Sequence, residues 1–180
     1  MMKKLFLTLC VALLSMGAQA QEKGDFALGV KGGVEITKLK LGDWIDESTT
    51  RSAFGIFGQY NFGRHWRWEL EGLYHPKKDH VSDFQAGLNV QYLIHVTDGF
   101  KIYPTLGYAL AFYSQEEFTE KNNNSTITVE KDSGTDGGIQ LGLGLQGNLG
   151  ENWFILGEYK FQPGIFGDGH VIQAGIGYRF

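Results

Sequence analysis

The sequence predicts an all-β fold: an eight-stranded antiparallel up-and-down β-barrel whose strands cross a membrane. Three observations predict it. Apolar and polar residues alternate through eight segments of roughly 10 to 16 residues, the two-residue period of a strand with a different environment on each face. The connections between these segments alternate between short and long. The composition, with 26 Gly, 14% aromatic residues and 3 Pro, suits many short strands better than helices.

The chain opens on a stretch with the layout of a secretory signal. Lys3 and Lys4 form its charged start, Leu5 to Met16 its apolar run, and Ala18-Gln19-Ala20 a small-residue cleavage site. Residues 1–20 are therefore expected to be a cleaved signal peptide and 21–180 a single barrel domain beginning at Gln21. Removing Lys3 and Lys4 with the signal takes the formal net charge from −4 to −6. The single cysteine, Cys10, lies in the apolar run, so no disulfide framework is expected. It stands too early for a lipidated cysteine, and Leu7-Thr8-Leu9 before it lacks the small residues that lipidation requires. After the signal no stretch reaches the eighteen or so apolar residues of a membrane helix. That says little about a barrel, whose half-polar strands have unremarkable mean hydropathy. Mild acidity without a basic run argues against nucleic acid as a partner.

The first strand is expected at Asp25 to Ile36, with Phe26, Leu28, Val30, Val34 and Ile36 on one face and Ala27, Gly29, Lys31, Gly33 and Glu35 on the other. A polar segment to Thr50 leads to the second, Arg51 to Phe62, and Gly63-Arg64-His65 makes a tight turn. The third, Trp66 to His75, sets Trp66, Trp68, Leu70 and Tyr74 against Arg67, Glu69, Glu71, Leu73 and His75, an alternation no amphipathic helix produces. A loop from Pro76 to His80 precedes the fourth, Val81 to Val96, and Thr97-Asp98-Gly99 is the second short turn. The fifth, Phe100 to Tyr113, contains Pro104, which removes one ladder hydrogen bond. The longest loop, Ser114 to Asp136, leads to the sixth, Gly138 to Leu149, followed by the turn Gly150-Glu151-Asn152. The seventh runs from Trp153 to Gln162, a loop spans Pro163 to Gly169, and the eighth is Val171 to Phe180.

Aromatic residues gather at both ends of the greasy face. Phe26, Phe62, Trp66, Phe100, Trp153, Tyr178 and Phe180 stand at the short-turn end, and Phe54, Tyr74, Phe84, Phe112 and Phe161 nearer the long loops. Two such girdles are what a lipid-facing barrel requires. With the greasy face outward, the lumen receives Lys31, Arg67, Glu69, Glu71, Lys101, Glu158, Lys160 and Arg179, together with Phe57, Tyr103, Phe154 and Leu156. Such a lumen is either a conductance path or a closed network of charges. Eight strands leave an interior only wide enough for side chains, which favours the closed network. Glu71, Glu158 and Lys31 are expected at one depth, and Gln in place of either glutamate is expected to cost about 3 kcal/mol if a charge is left unpaired.

The eighth segment ends Tyr178-Arg179-Phe180, and this ending resembles the terminal signature of Gram-negative outer-membrane β-barrels. With the strand pattern and girdles, the chain resembles the small OmpX/OmpA-type outer-membrane barrels over the whole length after the signal. The resemblance implies short periplasmic turns, longer extracellular loops, and recognition of Tyr178 and Phe180 by the outer-membrane assembly machinery. It implies a structural or surface-interaction role, in adhesion or membrane integrity, without catalysis or cofactor. Partners would be outer-membrane lipid, lipopolysaccharide and an extracellular ligand of the loops, with the barrel itself a monomer. Phe180 is the last residue, so no periplasmic domain of the OmpA kind is expected.

Several sharper readings stand beside this one. His80-Val81-Ser82 resembles the His-x-Ser pair of PagL, an eight-stranded lipid A deacylase. A hydroxyl activated by imidazole would be an esterase arrangement. That family's glutamate, about twelve residues after its serine, falls here near Ile94, and Asp83 points inward; a polar rim pair is the simpler account. Gly42-Asp43-Trp44 matches the G-x-W motif of lipocalins, but a lipocalin would need the greasy face inside. A narrow diffusion pore is the remaining alternative. His65, His75, His80, His95 and His170 show no metal-ligand spacing and read as polar strand-end residues. Asn123-Asn124-Ser125 matches a glycosylation acceptor by chance. Lys38, Lys40, Arg51, Lys77, Lys78 and Lys131 fall at the loop ends, where they could meet lipopolysaccharide phosphates or water.

Overall fold

The computed structural model describes residues 24–41, 45–78, 81–115, 118–122, 125–129, 132–165 and 168–180. The expected signal peptide, His80, the Gly42-Asp43-Trp44 motif, Asn123, Asn124 and Lys131 lie outside these residues. Among the described residues there are eleven strands: β1 (Phe26–Leu41), β2 (Ile45–Asn61), β3 (Trp66–Lys78), β4 (Val81–Tyr92), β5 (Ile94–Thr97), β6 (Phe100–Gln115), β7 (Phe118–Asn122), β8 (Ser125–Val129), β9 (Asp132–Leu149), β10 (Trp153–Pro163) and β11 (Asp168–Arg179). All pairings are antiparallel. Strand β1 pairs with β2 on one side and β11 on the other, closing the sheet into a barrel of eight, with β4 and β5 forming one interrupted wall strand. Closure leaves the wall without a free edge, so its backbone N–H and C=O groups are satisfied within the sheet.

The strands run beyond the residues whose alternation announces them. The polar segment after Ile36 continues the β1–β2 ladder as far as Leu41↔Ile45. The expected loop from Ser114 to Asp136 is largely strand as well: β6 and β9 pair out to Gln115↔Asp132, and β7 and β8 form a separate hairpin. Backbone hydrogen bonds sustain a ladder whatever the side chains, so where neither face is apolar the chain stays extended without the alternation that would reveal it. Strand β3 likewise extends past His75 to Lys78, with a register shift between them.

The expected fourth strand is divided at Leu93. Gln91↔Thr105 and Ile94↔Ile102 flank the break and place Pro104 opposite Tyr92. Pro104 has no N–H to give, and the wall opens there. Leu93 instead donates its N–H to the carbonyl of His65 at 2.7 Å and buries its side chain.

The two faces of the wall are sharply different. Within β3, Glu69 is 0% exposed and its neighbour Leu70 63%. Outward-facing Val30, Ile56, Leu88, Leu106, Ile139, Leu143, Ile155 and Ile172 are all exposed, whereas the inward set is mostly polar and buried. Apolar outside and polar inside is the reverse of a water-soluble domain and excludes a lipocalin arrangement. The expected girdle residues all lie on the outward parity: Phe62, Trp66, Phe100 and Trp153 at one end and Tyr74, Phe84 and Phe112 toward the other are exposed, with Phe26 and Phe161 half-buried.

Large rings inside the lumen are accommodated by glycines directly across the ladder. Tyr103 faces Gly144, Phe57 faces Gly29 and Phe154 faces Gly177. A Cβ at Gly144 would lie 2.2 Å from the Tyr103 ring, and one at Gly29 2.3 Å from Phe57. The missing side chain is the space the ring occupies. At the seam, Phe180 donates its N–H to the Phe26 carbonyl at 2.9 Å, and its ring meets both Phe26 and Tyr178.

Three outcomes are expected. Gly144→Ala should destabilise the refolded barrel by about 1–3 kcal/mol in urea titrations, as an overpacked core does. Gly99→Ala, where a Cβ meets nothing within 4 Å, should stay within about 0.5 kcal/mol of wild type. Phe180→Ser should lower the amount of folded barrel recovered from membranes while secretion continues; unchanged recovery would remove the seam's proposed part in assembly.

Candidate functional site

The side chains that carry chemistry are concentrated in the lumen, where strand parity places them. Lys31 (β1), Glu69 and Glu71 (β3), and Glu158 and Lys160 (β10) converge from opposite walls. Each lysine reaches all three carboxylates. Lys31 Nζ lies 3.2 Å from Glu69, 3.1 Å from Glu158 and in contact with Glu71; Lys160 Nζ lies 3.3, 2.6 and 3.6 Å from Glu69, Glu71 and Glu158. Amides fill the remaining valences. Gln59 donates to Glu69 at 2.8 Å, Asn89 to Glu69 and Glu71, and Gln140 to Glu71 at 3.1 Å; Tyr103 donates to Glu158 at 3.0 Å. A buried ionic group is tolerable only with this degree of pairing.

Oxygens of the three carboxylates lie within 4.8 Å of one another, close enough to invite a cation. The two ammonium groups already occupy that role, so the donor set does not favour a metal. Nor does the cluster supply a nucleophile: its members bond one another.

A second group crosses β1 to β4 nearer the long connections. His75 is 0% exposed, with Nε2 2.8 Å from Glu35 and Nδ1 2.7 Å from Asp83; Asp83 also contacts Arg51. Both ring nitrogens face carboxylates, and an imidazole can donate from both only as the cation. The sequence reading of His75 as a polar strand-end residue is thus corrected. Its inward parity, shared with Glu69 and Glu71, was the available signal; that Glu35 lies two strands away yet within reach required the barrel's curvature.

The other sequence-selected charges lie elsewhere in the lumen. Arg67 is buried over the Tyr103 ring at 4.6 Å, and Lys101 is buried nearby. Arg179 stands at the short-turn mouth with its side chain 22% exposed, 4.0 Å from Asp25, outside the central network. At the far end Ile165, expected in a surface loop, is 0% exposed and packs with Ala109 and Ala111. Ile165 lies over Gly138, where a Cβ would meet it at 2.9 Å, and forms an apolar stopper there. Ser82 is half-buried; the His80–Ser82 pairing lies outside the described residues.

A closed barrel with an apolar exterior, a polar interior and aromatic bands at its ends defines an outer-membrane β-barrel protein. The chain belongs to the outer membrane protein beta-barrel domain family, which it matches over residues 6–180. Comparison with curated proteins gives no match. Among solved structures it is similar to Neisserial surface protein A (15% identity, TM-score 0.65, 88% of this chain and 98% of that one). It is also similar to the N-terminal β-barrel domain of Pseudomonas aeruginosa OprF (18%, 0.55, 88% and 98%). A third is Ail, the attachment invasion locus protein of Yersinia pestis (16%, 0.52, 88% and 99%). At these identities the likeness is one of fold, and the family places the chain in the outer membrane.

With three carboxylates facing two ammonium groups, the two kinds of substitution differ in consequence. Lys31→Met leaves three carboxylates around one ammonium and should cost about 3–5 kcal/mol. Glu158→Gln leaves two against two, so its cost should fall to about 1–2 kcal/mol, that of the weakened Tyr103 hydrogen bond. Equal losses in urea titrations of the refolded barrel would contradict this charge balance.

Proposed function

We propose that this protein is a non-conducting, non-catalytic outer-membrane scaffold that carries extended β-structure for surface interaction. The observation that carries this reading is the interlocked set of six Lys–Glu pairs filling the mid-lumen, with Ile165 packed above it. A continuous water path would have to break several buried pairs at once, each costly. The long connections supply the other half of the argument. Strands β1, β2, β6 and β9 run well past the apolar wall, and the β7–β8 hairpin adds to that end. Polar ladders offer edges and side chains to a partner.

On this reading residues 1–20 are a cleaved export signal, the short turns face the periplasm and the long connections face outward. The apolar belt sits in lipid beside lipopolysaccharide, Tyr178 and Phe180 engage the assembly machinery, and the barrel is monomeric. Ail, similar in fold, is described as an attachment protein, which supports a surface role.

Protease added to intact cells should cut between Ser114 and Asp136 and spare Thr97 to Gly99; the opposite pattern inverts the topology. Planar-bilayer recordings should show at most rare, small openings. Steady ion-selective current that changes in Glu158→Gln would establish a pore instead. Replacing residues 116–131 by a short turn should abolish binding of bacteria to host matrix while leaving the barrel's urea midpoint unchanged. Lipid A should be unaltered in His80→Ala and Ser82→Ala relative to wild type; deacylation lost with either would make the protein an enzyme.

A further inference from the structure

At the short-turn end the lumen opens into a pocket whose ionisable lining is Asp25, Arg67, Lys101 and Arg179. Three cations against one carboxylate make this mouth positive, in a chain whose formal net charge is −4. Its deepest cation is held from several sides. Arg67, 3% exposed, donates from Nε to Gln91 Oε1 at 2.6 Å and from Nη1 to Gln146 Oε1 at 2.5 Å, while its guanidinium rests on the Tyr103 ring. Its third nitrogen, Nη2, is buried and has no hydrogen-bond partner among the described residues.

A buried donor left unsatisfied costs the free energy of its lost hydration, and native structures rarely leave one so. Guanidinium is planar and weakly hydrated, and its fixed N–H fork suits oxyanions. The carboxylates of the mid-lumen do not serve Nη2. Glu158 is reached from Arg67 only through Gln91, which donates to it at 3.4 Å, and through Tyr103. Asp25 does not accept from Nη2 either. Arg179 donates to Asn148 at 3.3 Å, lies 4.0 Å from Asp25 and rests 5.9 Å from the centre of the Phe154 ring. The free space is about 10 Å³, the room of one water or one oxygen atom.

We infer that the short-turn mouth is a binding site for a small oxyanion of the phosphate or carboxylate type. One anionic oxygen takes the hydrogen bond of Arg67 Nη2, and the rest of the ion stays in the mouth, in the field of Lys101 and Arg179. The site ends at the mid-lumen network, so it binds from one side and does not conduct. It rests on different residues from the scaffold reading and stands or falls separately.

The test uses full-length barrel refolded in a phosphate-free maltoside detergent and titrated with inorganic phosphate, followed by calorimetry and arginine side-chain NMR. Ionic strength is held constant with sodium chloride. Saturable one-to-one binding is expected, with the Arg67 side-chain resonances shifting. Arg67→Lys and Lys101→Gln should each weaken it at least tenfold, and Arg179→Gln severalfold. Lys77→Gln, at the other end of the barrel, should not change it. If Arg67→Lys does not refold, Lys101→Gln and Arg179→Gln carry the same comparison. Absence of saturation, equal affinity in Lys101→Gln, or equal weakening by Lys77→Gln would overturn the site. A second arm places the barrel in phosphatidylcholine vesicles with or without phosphatidylglycerol. Resonance shifts that need the anionic lipid, without any response to free phosphate, would show a headgroup contact at the rim and also overturn it.

Discussion

Charge burial in a narrow tube is the constraint on which this structure depends. Lys31 (β1) and Lys160 (β10) each touch Glu69 and Glu71 of β3 and Glu158 of β10, so the network ties β3 to the facing strand β10 across the lumen. An apolar core could fill the same volume, and replacing buried ion pairs by well-packed apolar groups is often neutral or stabilising. What the polar filling adds is direction. A chain with apolar residues on both faces would have no preferred inside, whereas charges that can be satisfied only by one another fix which face turns inward.

The aromatic rings and glycines serve the same closure at the short-turn end. Tyr103, Phe57 and Phe154 each occupy the space of a missing side chain on the neighbouring strand. Each ring thereby marks a register, because a one-residue slip would bring it against a Cβ and turn its strand inside out. Phe57 and Phe154 also touch, with ring centroids 6.2 Å apart. These rings adjoin the ion pairs: Lys31 Nζ lies 5.4 Å from the centre of the Phe57 ring, and the Tyr103 hydroxyl donates to Glu158.

The lumen is graded along its axis. Its short-turn mouth is cationic, its middle is balanced by amides and ion pairs, and its far end passes through the Glu35–His75–Asp83–Arg51 chain to an apolar stopper at Ile165. Signs alternate along Glu35, His75, Asp83 and Arg51, so each charge meets its opposite. Outward, the mid-sections of the same strands offer mostly apolar side chains and rings.

The sequence by itself determined the eight strands of the wall, their antiparallel order and the inward and outward parity. Parity is a local property of an extended chain, so Glu69 and Leu70 declare opposite faces without reference to anything distant. Local alternation cannot mark where polar strands end, so it does not show the ladders over Thr37 to Leu41 and Asp132 to Asp136. Nor could it say which inward charges meet. That Lys31 is shared by three glutamates, that His75 bridges Glu35 and Asp83, that Arg67 keeps an unpaired nitrogen and that Ile165 turns inward were decided by tertiary structure alone. Each depends on the curvature of a closed eight-stranded wall, which brings together side chains from non-neighbouring strands at distances no linear pattern encodes.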